Sequence, residues 1–177
     1  MITIDELSGD GIRAAADELA EVLRDCVAHG ASVGFLPPVT KADARRFWLD
    51  VAQQADAGAR TLFAARGDDG AVRGTVQLAL ATPANGAHRA EVNKMLVHTR
   101  YRRQGIGQQL LLAAEARARA LGRTLLVLDT WSAAAPSTCT RDWAIAPPVT
   151  SRSTRSWREA RWAPRASCTR CSDRSST

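Results

Sequence analysis

One short segment limits what this chain can fold into more than any other: Arg102-Arg103-Gln104-Gly105-Ile106-Gly107-Gln108. It lies between an apolar run with the character of a strand and a long Ala/Leu-rich run with the character of a helix. Two glycines let the backbone approach a ligand closely, and a helix starting here presents N–H groups without intrahelical partners to an anion. Neighbouring arginines add charge that suits phosphate. The spacing predicts a seat for a pyrophosphate-bearing ligand.

Two phosphate-binding patterns do not fit. A P-loop needs Lys followed by Ser or Thr after its last glycine, whereas Gln108 and Gln109 follow Gly107. A dinucleotide fingerprint needs a third small residue where Leu110 stands, and an acidic ribose partner about 20 residues on.

The rest of the chain reads as alternating elements. Met1 to Asp5 is a short first strand. Ile12, Ala16, Leu19, Leu23, Cys26 and Val27 recur at helical spacing over Gly11 to His29, and Gly30, Gly34 and Pro37-Pro38 then break the chain. Thr40 caps a second helix with an apolar face of Ala44, Phe47, Trp48, Val51 and Ala55. Strands over 61–66 and 71–80 flank Asp69-Gly70, a hairpin turn pair. After a loop at 83–86, a strand over 90–97 leads into the glycine segment. A third helix runs from about Gly105 to Leu121, buries Ile106, Leu110, Ala113, Ala114, Ala118 and Leu121, and ends at Gly122. A buried strand over 124–129 follows. The expected class is α/β (α+β): a mixed, mostly antiparallel sheet with flanking helices and its C-terminal part missing or disordered.

The pattern Arg102-x-x-Gly105-x-Gly107, set between strand and helix with a second strand after it, resembles the acetyl-coenzyme A motif of the GNAT (Gcn5-related N-acetyltransferase) family. The resemblance covers Glu91 to Thr130. It implies an N-acetyltransferase that uses acetyl-coenzyme A and passes the acetyl group to an amine by direct attack in a ternary complex. Glu91 matches the acidic residue that relatives place on this strand, which implies a general base acting through water on an amine of ordinary pKa about 10.4. Met95, Leu96 and Val97 are then expected to pair with the pantetheine arm as an added strand. Arg102, Arg103, Gln104, Gly105, Ile106, Gly107 and Gln108 are expected to cradle the pyrophosphate. The first two helices border the acceptor pocket in this family, which puts Phe35, Leu36 and Trp48 beside the substrate. Trp48 and Phe47, read from periodicity alone, belong to the core. The strands Ala-Glu-Val-Asn-Lys-Met-Leu-Val and Leu-Val-Leu-Asp-Thr look like the branch that includes tabtoxin-resistance acetyltransferases, so the acceptor is expected to be a small amine or amino-acid-like toxin. A homodimer is a further expectation, since many relatives dimerise.

Charge must be divided before it is used. The chain carries +6, but residues 1–130 hold 16 basic and 15 acidic side chains, a balance of +1, while 131–177 hold 8 and 3, a balance of +5. The expected domain, 1–130, is therefore nearly neutral and lacks the basic body of a nucleic-acid-binding domain. With no apolar run near the length of a bilayer and no signal-like N-terminus, the expected location is cytoplasmic, without membrane or nucleic-acid partners.

Residues 131–177 break the pattern. They contain four of the five tryptophans, three of the four cysteines, and Arg/Ser/Thr runs without aliphatic periodicity, so no helix or strand is expected there. Disordered tails are rarely rich in Trp and Cys. Out-of-frame translation accounts for the composition better: reading from the third base of each codon, Asp142-Trp143-Ala144 forces Leu-Gly, and the flanking codons permit a Leu-Tyr…Leu-Gly-Tyr helix like the one that closes a GNAT domain. The break falls near Thr130 to Ser132, and the alternative function is an inactive relic of the enzyme. In GNAT relatives a tyrosine of that helix often protonates the leaving thiolate, and no tyrosine follows Tyr101 here. Nucleic-acid binding through the basic tail ranks last. Cys168-x-x-Cys171 is half of a metal motif without its second half, so no metal is expected.

Overall fold

A computed structural model describes residues 1–80 and 86–128 in full and the backbone of Thr154–Ser156. Six strands form one sheet in chain order, β1 to β6. They are β1 (Thr3–Leu7), β2 (Arg60–Arg66), β3 (Val72–Ala79), β4 (Arg89–Val97), β5 (Leu125–Leu128) and β6 (Thr154–Ser156). All neighbours are antiparallel except β4 and β5, which run parallel. Helices α1 (Gly9–Ala14), α2 (Ala16–Ala28) and α3 (Lys41–Asp56) cover one face, and α4 (Ile106–Ala120) covers the other.

Local chemistry fixes several boundaries. The Thr40 hydroxyl accepts from the Asp43 N–H at 3.0 Å and starts α3. Gly70, at φ +76°, closes the β2–β3 hairpin, where the Gly67 N–H donates to the Ala71 carbonyl. Gly122, at φ +68°, ends α4 with a Schellman pattern: the Arg123 N–H donates to Ala118 and the Gly122 N–H to Arg119.

Other expectations need correction. The first helix is two helices, interrupted at Ala15 (φ −91°, ψ 6°), because Ser8 caps an earlier start by accepting from the Gly11 N–H. Leu121 is 36% exposed and Ala113 half-buried, since the α4 stripe turns away from the sheet near its end, while Glu115 is buried against Arg119. Strand β5 is half-buried rather than buried. The tail was expected to contain no strand, yet Thr154–Ser156 pairs with β5. The remaining expectations for 131–177, the frame break, the Cys168/Cys171 pair and the 83–85 loop lie outside the described residues.

One irregularity positions the site. The β3–β4 register pairs Gln77 with Asn93 but Thr75 with Leu96, so β4 holds one extra residue, with Lys94 at φ +47°. The Thr75 hydroxyl donates to the Lys94 carbonyl at 3.1 Å. A regular strand puts every second residue on one face. The bulge breaks this parity: Leu96 joins the core under α1–α3, and Met95 and Val97 pack on the α4 side.

Candidate active site

Among the described residues, which stop at Leu128 on this strand, β4 and β5 pair from Arg89↔Leu125 to Val92↔Leu128. No described residue pairs with 93–97 of β4 on that side. Downstream lies the start of α4. Its intrahelical bonds begin with the Gln109 N–H donating to Gly105, so the N–H groups of Ile106, Gly107 and Gln108 have no intrahelical acceptor. The first turn carries no carboxylate, which leaves the positive end of the helix dipole unneutralised. Arg103 (φ +65°) and Gly105 (φ +76°) both adopt the left-handed conformation, a backbone form that gathers amides into an anion-binding concavity. Among the described residues, β4 thus leads to a helix start whose N–H groups are suited to an anion.

The predicted cofactor residues fall in these places, with two qualifications. The Arg102 guanidinium does not extend to the helix N-terminus. Its Nε donates to the Val97 carbonyl at 3.1 Å and its Nη2 lies 3.9 Å from the Cys26 sulfur. The Cys26 thiol also donates to Val97, at 3.4 Å. Both acceptor sites of the Val97 carbonyl are therefore taken, and the carbonyls open to an added strand start before Val97. Burial pushes the Cys26 thiol above its ordinary value, which keeps it a packing and hydrogen-bonding group rather than a nucleophile.

Glu91 is half-buried on the α1–α3 side of the sheet. It stands opposite Ala79, which in turn stands opposite Arg60, so all three lie in one cross-strand row. Arg60 donates to Gln54 Oε1 at 2.9 Å and to Gln77 Oε1 at 2.5 Å. Lys94 reaches the same side and places Nζ 5.5 Å from the centre of the Phe47 ring. No local pattern marks Arg60, Gln77 or Lys94 as site residues. The one available signal was composition: Lys41 and Lys94 are the only lysines among 24 basic side chains.

Beside Phe47 lies a groove of about 360 Å³ whose lining includes Phe35, Leu36, Val39 and Arg46. Phe35 packs edge-on against Phe47 at 5.3 Å. Phe35 and Leu36, the residues expected beside the substrate, both line this groove, and Leu36 is 88% exposed. Trp48 does not line the groove. It is fully buried, because its position on α3 points at the sheet, and its neighbour Phe47 lines the groove instead.

Asp25 of α2 anchors the turn after β4. Its carboxylate accepts from the Thr99 N–H and hydroxyl, and His98 and His29 lie within 3.6 Å. Among the described residues no group of His, Cys, Asp and Glu is arranged to hold a metal, and no helix is long and apolar enough to cross a membrane.

Residues 21–138 match the family model described as the acetyltransferase (GNAT) family. A curated relative from Azospirillum brasilense, described as an uncharacterized N-acetyltransferase, is 32% identical over 149 residues, covering 82% of this chain and 86% of its own. Among solved structures, an N-acetyltransferase from Staphylococcus aureus Mu50 is similar with TM-score 0.61 and 19% identity, covering 80% of this chain and 78% of that one. A Salmonella typhimurium protein described as a putative acetyltransferase, solved with its cofactor acetyl-CoA, is similar with TM-score 0.59 and 18% identity, covering 75% and 71%. With a parallel β4–β5 pair, a start of α4 free of acidic residues, and a family match over most of its length, this chain belongs to the acetyltransferase (GNAT) family of N-acetyltransferases.

Proposed function

We propose that the protein transfers the acetyl group of acetyl-coenzyme A to the amine of a small molecule by direct attack within a ternary complex. The observation that carries this reading is the start of α4 just after β4, where three N–H groups lack intrahelical acceptors, two residues adopt left-handed turns, and the first turn holds no acidic residue. When bound, acetyl-coenzyme A supplies an activated thioester. The chain's own residues do the rest. The β4 edge at Met95 and Leu96 pairs with the pantetheine amides as a neighbouring strand does. The N–H groups of Ile106, Gly107 and Gln108, with the left-handed turns at Arg103 and Gly105, hold the pyrophosphate. Glu91 accepts the amine's proton through water, and Phe35, Leu36 and Phe47 border the acceptor. An amino-acid-like toxin is the finer expectation for that acceptor.

Titration calorimetry with coenzyme A, followed by release of the coenzyme A thiol from acetyl-coenzyme A in the presence of an amine panel, tests the reading. Saturable binding and amine-dependent thiol release are expected. Absence of coenzyme A binding by folded protein overturns it.

A second reading is favoured by where the family match stops, at residue 138 of 177, close to the change in composition. In it the chain is a frameshifted, inactive form of such an enzyme. Sequencing codons 128–136 from a fresh isolate decides: a slip of one or two bases that restores the Leu-Gly frame supports it, and an intact frame removes it.

A further inference from the structure

Two half-buried cations face the candidate base, and among the described residues no second carboxylate neutralises them. Arg60 comes from the start of β2, and Lys94 from the bulge in β4. The one carboxylate that acts on both is Glu91. Among the described residues neither cation forms an ion pair, and unlike the exposed Arg100 and Arg102 both are half-buried. Burial holds both groups below their ordinary values, and Arg60 lowers Lys94 further while Glu91 opposes the effect. Half-buried charge of this kind is costly unless something pairs with it.

A second feature of the same cluster is independent of charge. Gln77 is fully buried, its Oε1 accepts from Arg60, and its Nε2 has no acceptor among the described residues. Buried amide donors are almost always satisfied. An unsatisfied donor beside two unpaired cations describes a place that lacks acceptor oxygens. Arg60 is held by Gln54 and Gln77 through Nε and Nη1, which fixes its planar fork. Lys94 sits in a left-handed conformation that a lysine does not adopt without support, and Thr75 supplies that support by bonding the Lys94 carbonyl.

We infer that the acceptor of this enzyme carries a carboxylate beside its amine, and that Arg60 and Lys94 receive that carboxylate while Glu91 faces the amine. The acceptor class is then a small amino acid or an analogue with the same two groups. This rests on the acetyl-transfer reading above and deepens it. Arg60 brings a planar guanidinium and Lys94 a point charge, while the Gln77 amide is a neutral donor without an acceptor among the described residues. Glu91 rejects a second anion at the amine end and so fixes the orientation of the zwitterion. A plain alkylamine leaves both cations unmatched and is rejected for that reason.

The test uses the full chain and two readouts. First, thiol release is measured with α-amino acids, each against its decarboxylated amine. The amino acids are expected to give a kcat/KM higher by about tenfold or more, and Arg60→Gln or Lys94→Gln to reduce that ratio toward unity through KM. Amines that serve as well as the amino acids overturn the inference and leave the acetyl-transfer reading standing. The second readout needs neither turnover nor cofactor. Lys41 and Lys94 are the only lysines, so mass spectrometry after lysine labelling reports their ratio internally. N-acetyl amino acids, which lack a free amine, are expected to slow labelling of Lys94 relative to Lys41, and N-alkylacetamides to leave the ratio unchanged. Unaltered labelling at saturating N-acetyl amino acid overturns the inference. Protection of Lys94 in a chain that fails to bind coenzyme A retains the carboxylate seat and overturns the acetyl-transfer reading alone.

Discussion

The Asp25 carboxylate accepts two hydrogen bonds from one residue, the Thr99 N–H at 2.7 Å and the Thr99 hydroxyl at 2.9 Å. This ties α2 to the turn between β4 and the glycine segment, so the anion seat is held from the opposite face of the sheet. Burial pushes the Asp25 carboxyl upward, yet the two bonds from Thr99, with His98 and His29 nearby, hold it below its ordinary 3.8. A carboxyl lowered in the folded state stabilises fully above its unfolded value and loses that contribution as pH falls through the folded one. Asp25→Asn is expected to cost about 1–3 kcal/mol at neutral pH. It should also flatten the loss of stability below pH 3.8, read from urea midpoints across an acid series. A variant with the same acid slope as the parent refutes the role.

Gly105 has φ +76° and open space where a Cβ would stand. The cost of a side chain there is conformational, about 1–2 kcal/mol for an L residue. Gly105→Val is expected to lower stability by at least that much and to weaken coenzyme A binding by about tenfold, measured by denaturant titration and calorimetry. Unchanged affinity would remove Gly105 from the anion seat.

Gly74 acts by a different physics. A Cβ there lies 2.8 Å from the Leu96 carbonyl oxygen and within 3.3 Å of Leu110 and Ile106. Gly74→Ala must push β4 or the start of α4 outward, at a cost of about 1–3 kcal/mol. Because both displaced elements carry the proposed cofactor seat, thermal stability and coenzyme A affinity should fall together.

Glu91→Gln keeps the shape and hydrogen-bonding capacity of the side chain while removing its charge. If Glu91 accepts the proton from the amine, kcat falls about 100- to 10,000-fold, with coenzyme A affinity little altered. The loss should be smaller at alkaline pH, where more of the amine is already neutral. A kcat within a factor of about two of the parent's across the pH range assigns proton removal elsewhere.

Much of the frame was readable because the signals were local. Thr40 caps α3, Asp69-Gly70 turns the hairpin and Gly122 ends α4, each through bonds to residues only a few positions away. The loop and helix turn of the proposed anion seat were readable for the same reason, being contiguous in the chain. The break at Ala15 was not, since Ile12 and Ala16 keep helical spacing across it and the earlier start is set by the Ser8 cap. Phe47 and Trp48 are adjacent and both aromatic. Only the way α3 lies on the sheet sends Trp48 into the core and Phe47 to the groove.

The sequence by itself determined the order of elements, the phosphate-suited loop and the family. Helix caps, tight turns and exposed amides depend on a few consecutive residues. The tertiary structure alone decided which side chains share Glu91's side of the sheet. Arg60 and Gln77 arrive through the β2–β3–β4 register, and Lys94 through a bulge that resets which residues face α1–α3. A register is set by pairing between distant segments, and one extra residue changes the face of everything after it. Local periodicity therefore locates the strand without saying what surrounds it.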